Sequence, residues 1–190
     1  RYGFKKDCCE INVQVGMSFV PLTVSMTRYR GVDVFLLEND DLYGRPRLYG
    51  DENGDYDDNS ERFVVYARGV IELIRTIGME PAIIHAHDWQ AGLIPAYLKT
   101  VYANDPVFSA TSSLFTIHNL GYQGLFPMAD FALTGLPTDM LDWRKMEYWG
   151  KISFLKAGLV SADALSTVSE TYAVEITREP LGFGMHGVFE

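Results

Sequence analysis

Apolar and polar residues alternate through "INVQV" and "SFVPLTVSM", which predicts two half-buried strands early in the chain. "VDVFLL" (32–37) is more continuously apolar and predicts a strand covered on both faces. Residues 38–60 are rich in Asp, Asn, Gly and Tyr, a loop composition. From Phe63 the period becomes helical, with Phe63, Tyr66, Ala67, Val70, Ile71, Ile74 and Ile77 on one stripe. Asp58 with Glu61 three residues on reads as a capping box, and Gly78 as the stop. Strand "PAIIHAH" (81–87), helix 90–102, strand 112–119, helix 149–162, strand 163–169 and helix 170–177 follow. Strands alternating with helices imply an α/β fold, a parallel sheet with helices on its faces. Its three strands end in "HAHD", "IHN" and "TVS", and open α/β sheets bind ligands outside the carboxyl ends of their strands.

The 190 residues fit one domain, and 47% hydrophobic with 22% charged residues is ordinary for a globular chain. A net charge of −9 argues against nonspecific binding to nucleic acid or to an anionic membrane. No apolar run is long enough to span a membrane. Cys8 and Cys9 are adjacent and poorly placed to bridge, and there is no Asn-x-Ser/Thr sequon; both absences fit a reducing, cytoplasmic setting. The chain opens on "RYGFKK" without Met and is expected to be a piece of a longer protein.

"HAHDWQAG" (85–92) admits several readings. His85 and His87, two apart on a strand, leave the same face, and with His118 and Asp88 they could form a zinc site. A hydrogen-bonded core role for His85 is the simpler reading. No G-x-S-x-G elbow and no phosphate-binding G-x-x-x-x-G-K-[ST] loop occurs. Asp88, His118, Asn119 and the flat indole of Trp89 form a kit for gripping hydroxyls and stacking on a sugar ring. Trp89 could equally be a helix-start residue packed on the sheet.

"HAHDWQAGLIPAYLK" and "FTIHNLGYQGLF" together resemble bacterial glycogen synthases and plant starch synthases, retaining glucosyltransferases of the two-Rossmann-domain (GT-B) type. "GVDVFLLEND", "LYGRP", "DDNSERFVVYARG", "ISFLKAGLVSADALSTVSETYAVEI" and "GFGMHGV" agree in order, so the resemblance covers roughly residues 28–188. It implies that residues 1–190 form part of the N-terminal Rossmann-like domain, without its first strand and without the C-terminal domain that holds the nucleotide. It implies transfer of glucose from ADP-glucose, or UDP-glucose, to the non-reducing 4-hydroxyl of an α-1,4-glucan, with no metal or other cofactor. The compartment would be cytoplasmic, or plastid in a plant.

By the same resemblance His118 contacts the transferred glucose near its 6-hydroxyl, and Asp88 lies by the acceptor side of the reacting carbon. Trp89, Asn119 and Tyr49 line the acceptor site. Gln90 replaces a histidine of some relatives, and His186 stands where relatives carry an acid. The piece alone is expected to be inactive. Another GT-B sugar-nucleotide transferase, or a noncatalytic module binding glucan through Tyr49, Trp89 and Tyr122, are the alternatives.

Overall fold

In the computed structural model of the chain, residues 5–189 are described; of the expected domain, residues 1–4, including the start of "RYGFKK", and residue 190 lie outside the described residues. Strands β1 (Lys5–Val15), β2 (Ser18–Tyr29) and β3 (Val32–Glu38) form an antiparallel meander. Its first turn is two residues, Gly16 and Met17, with Gly16 at φ +55° and Val15 paired to Ser18. Ile11, Val13, Val15, Leu22 and Val24 turn inward and are buried. β3 departs from the expectation of two covered faces. It is the meander's edge and among the described residues pairs only with β2, so Val32 and Leu36 stay exposed while Phe35 and Leu37 are half-buried.

Residues 38–60 are mostly irregular, with a single helical turn α1 (Asp40–Tyr43) and a small hairpin of β4 (Gly50–Asp51) and β5 (Gly54–Asp55). Helix α2 (Asn59–Thr76) lies on the meander and buries Val64, Val65, Ala67, Ile71 and Ile74. Its expected capping box does not form. Asp58 occupies the N-cap position without a cap hydrogen bond, because its carboxylate is taken by the Arg45 guanidinium. The predicted glycine stop does form. Gly78, at φ +65°, donates to Arg75 O at 3.2 Å and Met79 N to Ile74 O at 3.0 Å, a Schellman ending.

The parallel sheet has the order β11 (Ala164–Thr167), β7 (Ser112–Ile117), β6 (Ile83–His87). His87 pairs with Thr116, and Thr116 with Ser166, so these three share one face. Ile84, Ala86, Phe115 and Ile117 face the other way into the core, covered by α3 (Leu93–Lys99) and α5 (Phe154–Ser161). The two helices meet at glycines: a Cβ on Gly92 would lie 2.1 Å from Phe154 O, and one on Gly158 would lie 2.8 Å from the Phe115 ring. Only hydrogen side chains let the backbones approach this closely.

Two helices are shorter than the periodicity predicts. The segment after His87 begins with a 3-10 turn, Trp89–Ala91, and α3 ends at Lys99. The expected helix 149–162 starts only at Phe154, where Ser153 Oγ accepts from Lys156 N. Before it, Trp149 and Gly150 adopt positive φ and turn the chain between β9 (Glu147–Tyr148) and β10 (Lys151–Ser153), which with β8 (Leu125–Pro127) make a small antiparallel sheet. Helices α4 (Phe131–Thr134) and α6 (Glu170–Glu175) complete the chain. Apolar surface lies open in a cleft of about 650 Å³ between β3 and α2, lined by Phe35, Leu37, Tyr66, Val70 and Ile74 among others.

Candidate active site

The carboxyl ends of β6 and β7 converge on one carboxylate–imidazole pair. Asp88 follows β6, and its N–H continues the sheet by donating to Thr116 O at 3.0 Å. Its Oδ1 accepts the backbone N–H of His118 at 2.7 Å, and its Oδ2 lies 2.9 Å from His118 Nδ1. Thirty positions apart in sequence, the two residues are locked together by both carboxylate oxygens. The arrangement assigns the proton to Nδ1 and leaves Nε2 free to meet a ligand. Asp88 holds this pose at φ +55°, ψ −176°, a region that suits glycine and strains any residue with a Cβ. Backbone strain of this kind collects at functional sites, where surrounding contacts enforce it.

The histidines stack along the same rim, with ring centroids 4.1 Å apart for His85–His87 and 5.3 Å for His87–His118. Desolvation, with His85 and His118 beside it, holds His87 below the ordinary imidazole pKa, so this ring favours its neutral form. His85 is hydrogen-bonded, its Nε2 2.6 Å from Thr116 Oγ1, but it is exposed on the open face of β6 rather than in the core. The strand's side chains alternate, and the odd positions Ile83, His85 and His87 all point away from the packed side. Among the described residues no group of three or more His, Cys, Asp or Glu side chains is placed to hold a metal ion.

Beside the pair lies a cavity of about 620 Å³. Tyr49, Asp88, Trp89, Gln90, Asn119 and Tyr122 all line it, whereas His118 stands outside the lining, tied in through Asp88. Gln90 Nε2 donates to the Tyr49 hydroxyl at 2.7 Å, and Asn119 Oδ1 accepts from Gly121 N at 2.9 Å, which shapes the 119–124 loop. Tyr172 reaches across from α6 to accept Leu120 N at 2.9 Å. Trp89 is only 9% exposed, wedged against Phe63 at 4.4 Å between ring centroids and against Tyr49 and Phe126 at 5.8 Å. It is a packed wall of the cavity, and Tyr122, 68% exposed, is the free aromatic at the site. Gly124, at φ +56°, leaves room for the indole: a Cβ there would lie 2.6 Å from Trp89 Cε3.

The wall also contains Asp55, Asn59 and Gln123, which the sequence did not single out. Asn59 Nδ2 donates to Tyr49 O at 2.7 Å and so carries the loop onto α2. A loop composition rich in Asp and Asn signals exposure and turns alike, so nothing in it marks Asp55 as a cavity residue. Among the described residues no Lys or Arg is part of the lining. His186 Nδ1 lies 2.9 Å from Glu179 Oε1, away from this cavity; the structure does not explain why a histidine stands there.

A parallel sheet with helices on its face, whose strand ends carry this pair beside a polar and aromatic cavity, is a Rossmann-like α/β arrangement. The chain superposes with a TM-score of 0.88 on the "Catalytic domain of Starch Synthase IV from Arabidopsis thaliana bound to ADP and acarbose", at 22% identity, covering 99% of this chain and 38% of that one. The family model of the starch synthase catalytic domain matches residues 2–190, and the chain belongs to that family. It is 49% identical over 177 residues to the glycogen synthase of Elusimicrobium minutum, covering 93% of this chain and 37% of that protein. It is 40% identical to the glycogen synthase of Geotalea daltonii, covering 98% of this chain and 39% of that one. The chain thus spans less than two fifths of the length of these curated relatives. No helix among the described residues is long and apolar enough to cross a membrane.

Proposed function

We propose that this chain is the acceptor-side part of a glycogen or starch synthase. The whole protein would transfer glucose from ADP-glucose, or UDP-glucose, to the non-reducing 4-hydroxyl of an α-1,4-glucan with retention of the anomer. The observation that carries the reading is the double clasp of Asp88 on His118 at the rim of a cavity rich in hydroxyl-binding groups. Supporting it are the glycogen synthases that the chain resembles at 40–49% identity.

In this reading His118, oriented by Asp88, offers Nε2 to a hydroxyl of the transferred glucose and holds it in register, a positioning effect. The Asp88 carboxylate, half-exposed at the cavity, favours the positive charge that develops on the sugar ring. Tyr49, Gln90, Asn119 and Tyr122 bind acceptor hydroxyls, with Trp89 as the wall behind them. No metal ion or other cofactor takes part. Residues 1–190 form part of the N-terminal domain, and a C-terminal domain supplies the nucleotide site. The free thiols of Cys8 and Cys9 are in keeping with a cytoplasmic setting, or a plastid in a plant.

Among the described residues the cavity contains carboxylates but no cation, so a departing diphosphate would find no electrostatic partner among them. The 190-residue chain is therefore expected to show no glucosyl transfer to a maltooligosaccharide primer. In the complete synthase, Asp88→Ala and His118→Ala are expected to lower turnover by orders of magnitude with the fold intact. Near-native turnover in both variants overturns these roles, and turnover by the isolated chain overturns the need for a cationic second part.

A further inference from the structure

One arginine is buried without serving as an ion-pair partner. Arg62, at the end of the first turn of α2, is only 4% exposed, and its neighbour Asp58 is clasped by Arg45 instead. Its guanidinium donates to neutral oxygens. Nε reaches Leu42 O at 2.7 Å, and one Nη reaches Leu48 O at 2.9 Å and Asn59 Oδ1 at 2.6 Å. The Tyr43 hydroxyl donates back to Arg62 O at 2.9 Å, and the Tyr56 ring lies 5.3 Å from the Arg62 Cζ. Burying a cation without a counter-charge is costly. What this cation holds in return is the irregular stretch that follows α1, gripped at Leu42 and again at Leu48.

That stretch delivers Tyr49. Because Asn59 Oδ1 accepts from Arg62, its amide is fixed with Nδ2 donating to Tyr49 O at 2.7 Å. Tyr56 N donates to the same carbonyl at 2.9 Å. With its backbone held at both Leu48 O and Tyr49 O, Tyr49 leans on Trp89 at 5.8 Å between ring centroids, and its hydroxyl accepts from Gln90 at 2.7 Å. Arg62 is not in the lining of the Asp88 cavity. It lines the apolar cleft between β3 and α2, and Tyr49 is shared by both, as the wall between them.

We propose that Arg62 is a positioning residue for the glucan acceptor: from behind the cavity wall it sets the backbone that carries Tyr49, and so the place of the Tyr49 hydroxyl. The inference rests on the synthase reading above, in which Tyr49 binds an acceptor hydroxyl. Only a planar fork serves here. Three oxygens on three residues are met by one guanidinium in a single orientation, whereas a lysine ammonium on a flexible stem is a point donor and cannot span them. A hydroxyl displaced by an ångström loses its hydrogen bond to a sugar that the other wall residues still hold in place.

The test is steady-state kinetics of the complete synthase with a nucleotide-glucose donor and maltoheptaose as acceptor. Arg62→Lys should raise the acceptor KM about tenfold, the worth of one hydrogen bond to the sugar, and leave the donor KM unchanged. Tyr49→Phe, which removes the hydroxyl and keeps the ring, should raise the acceptor KM to a similar extent. Adding Arg62→Lys to Tyr49→Phe should then raise it little further, because the two act through one group. Multiplying losses in the double variant, or an unchanged acceptor KM in Arg62→Lys, overturn the proposal and leave the synthase reading standing. So does a rise of donor and acceptor KM together, the mark of a merely structural role. Should Arg62→Lys fail to fold, Asn59→Ser cuts the link to Tyr49 O alone and should raise the acceptor KM about threefold; no rise there overturns the proposal equally. Absence of any glucosyl transfer by the native complete protein overturns the synthase reading, and this inference with it.

Discussion

The strained backbone of Asp88 permits the carboxylate's chemistry to be separated from the cost of placing it. Asp88→Ala and Asp88→Gly both delete the oxygens that clasp His118 N at 2.7 Å and Nδ1 at 2.9 Å. They differ in that alanine keeps a Cβ at φ +55°, ψ −176°, whereas glycine occupies that region freely. Strain there costs about 1–3 kcal/mol, and glycine's extra freedom in the unfolded chain takes back about 0.5–1 kcal/mol. Asp88→Gly should therefore be more stable than Asp88→Ala by up to about 2.5 kcal/mol, and by about 1 kcal/mol at the middle of these ranges. At a urea slope of about 2 kcal/mol/M the middle value separates the unfolding midpoints by about 0.5 M. Relative to the native chain, the glycine variant loses two partly exposed charged hydrogen bonds but is relieved of strain, so its midpoint should stay close to the native one. Urea unfolding followed by tryptophan fluorescence measures all three proteins under one protocol. In the complete synthase both variants should be equally impaired, since neither holds His118. An alanine variant as stable as the glycine variant would show that the Asp88 backbone is unstrained, and the inference from strain to function would go with it.

Gly124→Ala adds a methyl 2.6 Å from Trp89 Cε3 at a positive φ and should cost about 2–4 kcal/mol, whereas Gly78→Ala, at φ +65° with open space around it, should cost only about 1 kcal/mol; equal losses in urea unfolding would show that the indole yields freely. Asp163 is held down to about 2 by the Lys99 ammonium and by Ser113 N and Oγ, which donate at 2.7 and 2.9 Å. A carboxyl depressed in the folded state contributes stability above its unfolded value near pH 4 and loses it as the pH falls toward 2. Asp163→Asn should thus be less stable at pH 7 and show a flatter loss between pH 4 and pH 2; parallel curves for the two proteins would remove this role.

Much of the architecture is written in local pattern. The alternation in "INVQV" and the strand–helix order after residue 80 each follow from burial on one face, a property that neighbours in sequence share; the stripe from Phe63 announces the helix but not its buried face, since Phe63, Tyr66 and Val70 line the open cleft while Val64 and Val65 are buried. Gly78 was legible as a stop because a left-handed C′ residue is a local demand. The misses come from partners that periodicity does not show. Asp58 looked like a cap, but Arg45 competes for its carboxylate. Residues 149–153 carry a helix-compatible pattern, yet Ser153 caps α5 later and the chain before it turns to pair with β8. "VDVFLL" reads as a buried strand, but its exposure depends on whether a neighbour lies beyond it, and β3 is an edge.

The sequence alone determined the α/β alternation, the family resemblance and the identity of the polar residues at the strand ends, because each is a matter of residue type and order. Only the tertiary structure decided what those residues do to one another. The parallel pairing of β6 with β7 brings Asp88 onto His118, the Phe63, Tyr49 and Phe126 rings convert Trp89 from an exposed platform to a wall, and the fold draws Asp55 and Asn59 into the cavity. Such contacts join segments far apart along the chain, and their geometry depends on strand register and on the space that glycines such as Gly124 leave open.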